Sequence, residues 1–231
     1  MAAVSSEAVN ATLTRQAATR FLTQATFGPT QAEVDHVMAV GYQAWLDEQF
    51  AMPMDTTSHV AAWDAANAAI MAVDAGQRAS SGEVASTFWR QAVTGRDQLR
   101  QRVAFALSEI FVVSVADSCG GNAYSRGAAS YLDMLGRRSF GKFRELLESV
   151  TLHPVMGCYL SHLQNQKENV DTGRVPDENF AREVMQLFSI GLLELNVDGS
   201  LRLDAKLQPQ ETYTAADVAG LAKVFTGWSW A

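Results

Sequence analysis

The chain is poor in the residues that mark small stapled domains and metal centres. Only two of its 231 residues are cysteine, Cys119 and Cys158, and no Cys-x-x-Cys occurs. That excludes a zinc ribbon and a thioredoxin-type redox site. Spacing alone does not bring the two together, so two unpaired thiols are the expectation; a single disulfide is the alternative if the protein is exported. Basic residues are also scarce. The net charge is −7, which argues against nucleic acid as the main partner, because phosphate binding needs a basic surface. The one basic group, Arg137, Arg138, Lys142 and Arg144, reads as a solvated helix end. No apolar run reaches the ~20 residues of a membrane span. The longest, from Val103 to Ala116, contains Ser108 and Glu109 and reads as a buried helix. The first 14 residues are small and polar, without the basic start and apolar run of a signal peptide. The Gly-rich stretch from Ser118 to Gly127 lacks the spacing and preceding strand of a phosphate cradle. No His-Glu-x-x-His occurs among the four histidines. His153 and His162, nine residues apart, would point about 180° away from each other on one continuous helix. The Asn169, Asp171, Asp177 and Glu178 oxygens depart from the calcium-loop pattern, so no metal and no cofactor are expected.

What is present is helix. Hydrophobic residues make up 48% of the chain, enough for a substantial core. Residues 1–11 read as a disordered lead, and residues 12–231 as one helical domain. Thr30 and Glu33 form a capping-box pattern that opens a helix stopped by Gly41, and a short helix carrying Trp45 follows. Further helices are expected over 58–75, 83–93, from Asp97 onward, 131–138, 140–152 and 153–162, and over a last one capped by Thr214 and Asp217. Leu193 to Asp204 alternates apolar and polar residues around Asp198-Gly199, the pattern of a small β-hairpin. The fold class is therefore all-α, a mostly antiparallel multi-helix bundle with one small hairpin near 193–204.

The densest polar pattern lies in 175–191. Pro176 and Asp177 suit a helix entry and Gly191 an exit. At 100° per residue, Glu178, Arg182, Gln186, Asn179 and Glu183 share one arc of about 140°, and Phe180, Val184, Leu187 and Phe188 face the other way. The arc is either a solvated face laced by i,i+4 pairs or the wall of a polar site, with Glu178, Asn179, Arg182 and Glu183 as candidate catalytic residues. Glu109, inside an apolar run, needs a partner, and Arg182 is the expected one, giving a structural ion pair.

Several stretches together carry a resemblance. They are Asp97-Gln-Leu-Arg-Gln-Arg-Val-Ala-Phe-Ala-Leu-Ser-Glu-Ile-Phe111, Pro176-Asp-Glu-Asn-Phe-Ala-Arg-Glu-Val-Met-Gln-Leu-Phe-Ser-Ile-Gly191, Tyr213-Thr-Ala-Ala-Asp-Val218 and Phe225-Thr-Gly-Trp228, with Ala25-Thr-Phe-Gly-Pro-Thr30 and His153-Pro-Val-Met156. From about residue 15 onward the chain resembles the bacterial family known as domain of unknown function 1800. The resemblance implies an exported protein of the periplasm or cell envelope, often encoded beside a sulfatase-like protein, and no established activity. It also implies a longer gene product, because family members continue past Thr-Gly-Trp into a His-Asp-x-Gly-x-Lys segment. Two functions follow as expectations. One is a non-catalytic binding or structural module working with a partner. The other is an extracytoplasmic hydrolase built on the 176–191 helix and completed by that further segment.

Overall fold

A computed structural model describes residues 13–54, 58–115 and 122–229. Among them ten helices follow one another: α1 (Arg15–Ala25), α2 (Gln31–Ala51), α3 (His59–Val73), α4 (Ser81–Thr94), α5 (Gln98–Ile110), α6 (Asn122–Arg138), α7 (Phe143–Thr151), α8 (Pro154–Tyr159), α9 (Asn179–Gln186) and α10 (Ala215–Val224). The expected lead over 1–11 and Cys119 lie outside the described residues. Cys158 is disulfide-bonded, which corrects the expectation of free thiols.

Capping explains most of the helix starts. Thr14, Thr30, Ser58, Ser80 and Thr214 each accept a backbone amide of the first turn, satisfying donors that a helix end leaves open. At α10 both halves of the capping box form, Thr214 and Asp217 exchanging bonds. At α2 only half forms. Thr30 accepts from the Glu33 amide at 3.1 Å, but the Glu33 carboxylate turns to the Trp45 indole at 2.9 Å. Asp97 sits at the N-cap of α5 without a capping bond. It is buried instead, against Gln101 and the Arg100 guanidinium.

The organising element is α6, which packs against α3, α4, α5, α7 and α8. Tyr124, Ala128, Tyr131 and Leu135 repeat at helical spacing and are all buried, with Ala129 and Met134 beside them. One side joins a core with Phe111, Leu146, Val150, Met156, Phe180 and Phe188, and Ala128 and Ala129 meet Trp63 and Val84 on another. A Cβ on Gly127 would stand 2.8 Å from Val155, so the close approach of α6 to α8 needs glycine there. A smaller core joins α1 to α2 through Leu22, Val37 and Trp45. α6 begins nine residues before the expected helix at Tyr131, because its first two turns carry Tyr124, Ser125 and Ala128 into the interior.

Polar groups on α6 close the ends of other elements. The Asp133 carboxylate, 2% exposed, accepts the amides of His59 at 2.8 Å and Val60 at 3.1 Å, capping α3. The Tyr131 hydroxyl donates to the Phe111 carbonyl at 2.9 Å. The Gly136 carbonyl accepts from Arg100, whose other terminal nitrogen donates to the Met52 carbonyl at the end of α2. The same guanidinium lies over the Phe140 ring at 4.6 Å.

Three expectations are corrected. α5, read as a buried apolar helix, buries only Gln101, and Ala106, Glu109 and Ile110 are exposed. Its inward polar residues, Arg100 and Gln101, hold carbonyls and a buried carboxylate. The 176–191 helix shortens to the eight residues of α9. An Asp177 turn precedes it, and wide bonds follow, Phe188 N–H to Glu183 and Ile190 N–H to Met185, which drop Phe188 into the core. The hairpin near 193–204 does not form strands. Only isolated antiparallel bridges occur, Leu195 with Leu201, Leu193 with Glu211 and Leu203 with Pro209. The Glu194 N–H bonds Gln210 while its carbonyl takes the Arg202 N–H, so one arm is shared between two neighbours and no ladder extends.

Asp133→Ala removes the acceptor for two buried amides. It is expected to lower stability by about 2–3 kcal/mol in urea denaturation, the range for orphaned buried donors and lost caps, and to speed amide exchange in the first turn of α3. An unchanged midpoint would contradict the capping role.

Candidate functional site

The polar arc on α9 lies at the surface. Asn179 and Arg182 are exposed, and Glu178 and Glu183 are half-buried. Arg182 pairs with Glu178 at 3.0 Å, with both side chains 40% or more exposed, a geometry worth a few tenths of a kcal/mol. Asn179 follows the Asp177 turn. The Glu183 Oε2 is buried without a hydrogen-bond partner. None of the four lines any of the four cavities described below. The expected Glu109–Arg182 ion pair is also corrected. Glu109 is exposed on α5 and so pays no burial cost that would demand a partner, while Arg182 is taken by its own-helix neighbour.

The histidines are better placed than their spacing suggested. α8 ends at Tyr159, and Ser161 takes a left-handed turn with φ 65°, folding His162 back beside Gly157. His153 and His162 therefore line the same cavity of about 200 Å³, with Trp228 and Ser229. Their hydrogen bonds define their protons. His153 Nδ1 accepts the Val155 amide at 3.3 Å, so the neutral ring carries its proton on Nε2 and donates to Ser130 Oγ at 2.9 Å. Ser130 spends its own proton on the Gly127 carbonyl at 3.0 Å. A Ser–His nucleophile needs the opposite polarity, serine donating to histidine, so this couple is structural. His162 Nε2 bonds the Thr151 carbonyl at 2.9 Å and must donate there. Its Nδ1 is therefore a lone pair, buried and unpartnered, on a ring 3.9 Å from that of Phe180. Burial pushes both histidines down, His153 to about 4 with help from Arg137.

The titratable cluster that the sequence reading missed lies in α2. Along a straight helix His36 and Glu48 would stand about 18 Å apart. Gly41, at φ 83° inside α2, folds the two halves together, so His36 Nε2 meets Glu48 at 2.6 Å and Trp45 meets Glu33. These groups line a cleft of about 510 Å³ with Arg96. A second cavity of about 530 Å³ shares Glu48, Met52 and Arg96 with it. The hydrogen bond to Glu48 raises the His36 pKa, with Glu33 adding to it. The pair can carry a proton, but Gln49 and Gln98 beside it are occupied in backbone bonds. Gly41 was legible as a helix break; that the break is a corner joining Glu33, His36 and Glu48 was not.

Among the described residues no three His, Cys, Asp or Glu side chains meet in a group able to hold a metal ion. The Asn169 carboxamide accepts the Asp171 and Thr172 amides, and Asp177 accepts that of Asn179, so these oxygens serve as turn acceptors.

With fold and sites in view, the chain is a helical protein whose polar groups mostly close its own backbone. The family model described as protein of unknown function (DUF1800) matches residues 20–231, and the chain belongs to that family. Comparison with curated proteins and with solved structures returns no significant match.

The His153 shift has a sign that can be tested. The folded pKa lies near 4 and the unfolded value near 6.5, so between those pH values the unfolded chain binds more protons. Stability is expected to fall with pH from about 6.5 toward 4, by up to about 3 kcal/mol from this group. His153→Asn keeps the N-cap acceptor and removes the titration. Denaturation midpoints measured across that range should fall less steeply in the variant; an identical slope would exclude His153 as the source.

Proposed function

We propose that the chain is a non-catalytic binding module of an exported bacterial protein and that it works with a protein partner. One observation carries the reading. The segment that follows α9 leaves a succession of large aliphatic side chains in solvent, with Leu187 61%, Leu195 57% and Leu207 74% exposed, and Ile190, Leu192, Leu201 and Leu203 also exposed. The bridge between Leu195 and Leu201 sets two of them side by side. Large apolar side chains left in solvent along one segment support an interaction site there. The polar arc of α9, ending where the segment begins, supplies the rim that such sites commonly have. The partner suggested by the family resemblance is a sulfatase-like protein encoded nearby. Export is supported by the disulfide at Cys158, since such bonds persist in oxidising compartments.

The partner reading is tested by sedimentation of the chain with the sulfatase-like protein encoded beside its gene. A complex is expected, and a Leu195→Asp/Leu201→Asp variant with an unchanged melting temperature should bind at least about tenfold more weakly, since two desolvated leucines are worth that much. Binding by the variant at wild-type strength would sink it. For export, the protein recovered from the periplasm should resist alkylation at Cys158 until it is reduced. A freely alkylated Cys158 in native protein would remove that support.

A further inference from the structure

Trp228 borders two cavities. On one side is the chamber with His153 and His162; on the other is an open groove of about 540 Å³ lined by Gln164, Gln166, Lys167, Arg174 and Thr226. The groove is a built surface. Asn165, 7% exposed, grips Asp177 twice, accepting its amide at 2.8 Å and donating to its carbonyl at 3.0 Å. The Asn165 carbonyl accepts the Gly227 amide at 2.9 Å, and the Trp228 carbonyl accepts the Gln164 amide at 2.7 Å. These bonds hold two distant stretches of chain against each other before any ligand arrives.

The chemistry of the lining is selective. The chain has a net charge of −7, yet no Asp or Glu lines the groove, while Lys167 and Arg174 both do. The Arg174 Nε donates to the Lys167 carbonyl, which fixes the guanidinium and leaves its terminal nitrogens for an anion. The Trp228 N–H is spent on the Val224 carbonyl at 3.2 Å. A side chain 40% exposed therefore offers its ring face and no hydrogen bond. The amides of Gln164 and Gln166 and the hydroxyl of Ser229 both donate and accept, as sugar hydroxyls do. Behind the tryptophan, in the adjoining chamber, His162 is 3% exposed and its Nδ1 is buried with no donor bonded to it.

We propose that the Trp228 groove binds an acidic carbohydrate, a carboxylated or sulfated saccharide. Its anionic group sits on Lys167 and Arg174, a sugar ring lies on the Trp228 face, and its hydroxyls exchange hydrogen bonds with Gln164, Gln166 and Ser229. Nucleic acid offers the same anion and a flat ring, but among the described residues only Lys167 and Arg174 bring positive charge to the groove, too few for the run of phosphates that a polynucleotide presents. The site is separate from the leucine-rich segment, so it stands or falls independently of the partner reading.

The test is tryptophan fluorescence and calorimetry of the full chain with four probes: an oligogalacturonate, a sulfated disaccharide, a neutral oligosaccharide of matched length, and inorganic sulfate. Saturable binding of at least one acidic saccharide is expected, with the neutral sugar and sulfate binding on the order of tenfold or more weakly. Lys167→Gln/Arg174→Gln, both at exposed positions, should weaken the acidic saccharide by ten- to a hundredfold, the value of charge-assisted bonds, without moving the melting temperature. Trp228→Leu should weaken it and abolish the fluorescence change. Equal binding of sulfate alone, equal binding of the neutral sugar, preference for an acidic peptide over the saccharides, indifference to the double variant, or no binding would each overturn the proposal.

Discussion

The structure depends on α6 being buried on several faces at once. A helix in that position can carry polar side chains only where each finds a partner, because an unpaired buried polar group costs a few kcal/mol. Asp133 meets that condition by capping α3, Tyr131 by closing the end of α5, and Ser130 by holding the histidine that begins α8. The Gly136 carbonyl does the same through Arg100, which reaches on to the end of α2. The starts of α3 and α8 and the ends of α2 and α5 are thus tied to one rod. Packing alone would fix the faces of these helices; the hydrogen bonds fix their registers along the rod.

That economy also limits the chemistry available. The side chains most suggestive of catalysis are mostly spent on architecture. Ser130 and His153 point their protons the wrong way for nucleophilic attack. His59, buried, donates from Nδ1 to Thr87, whose own hydroxyl proton goes to the Val84 carbonyl, and burial lowers its pKa. The groups left facing space are of two kinds. One is the His36–Glu48 pair with Glu33, brought together at the Gly41 corner. The other is the Trp228 groove with its two cations and its exposed indole face. Both are sites at which chain segments distant along a helix or along the sequence are locked against each other, the usual setting for a preformed ligand pocket.

The exposed aliphatic segment after α9 is a third consequence of the same geometry. Phe180, Ala181 and Phe188 anchor α9 in the interior. Once Phe188 is inside, the chain leaves the core, and Leu192, Leu195, Leu201 and Leu203 stay exposed among the described residues. The alternating pattern of 193–204 therefore reflects one face of a surface excursion rather than a strand pair.

The sequence alone determined most of the helices and their starts, because capping and periodicity are local. Thr30, Ser58 and Thr214 act on amides a few residues away, and Gly41 needs only its own backbone to break a helix. The family too was legible, from runs of residues around Asp97, Pro176 and Tyr213. The site was far less so. The Glu178–Arg182 arc was real as a helix face, but whether a face is wall or surface depends on what packs over it. Glu109 sat in an apolar run yet emerged in solvent, because α5 turns Arg100 and Gln101 inward to serve carbonyls and Asp97. Only the tertiary structure could pair His36 with Glu48 across a bend, bring His162 back beside His153 past Ser161, and set Trp228 between two cavities. Each of those meetings depends on how the backbone turns between the partners, at Gly41 or Ser161, or on distant segments packing together, and the residues involved carry no local pattern that announces their partners.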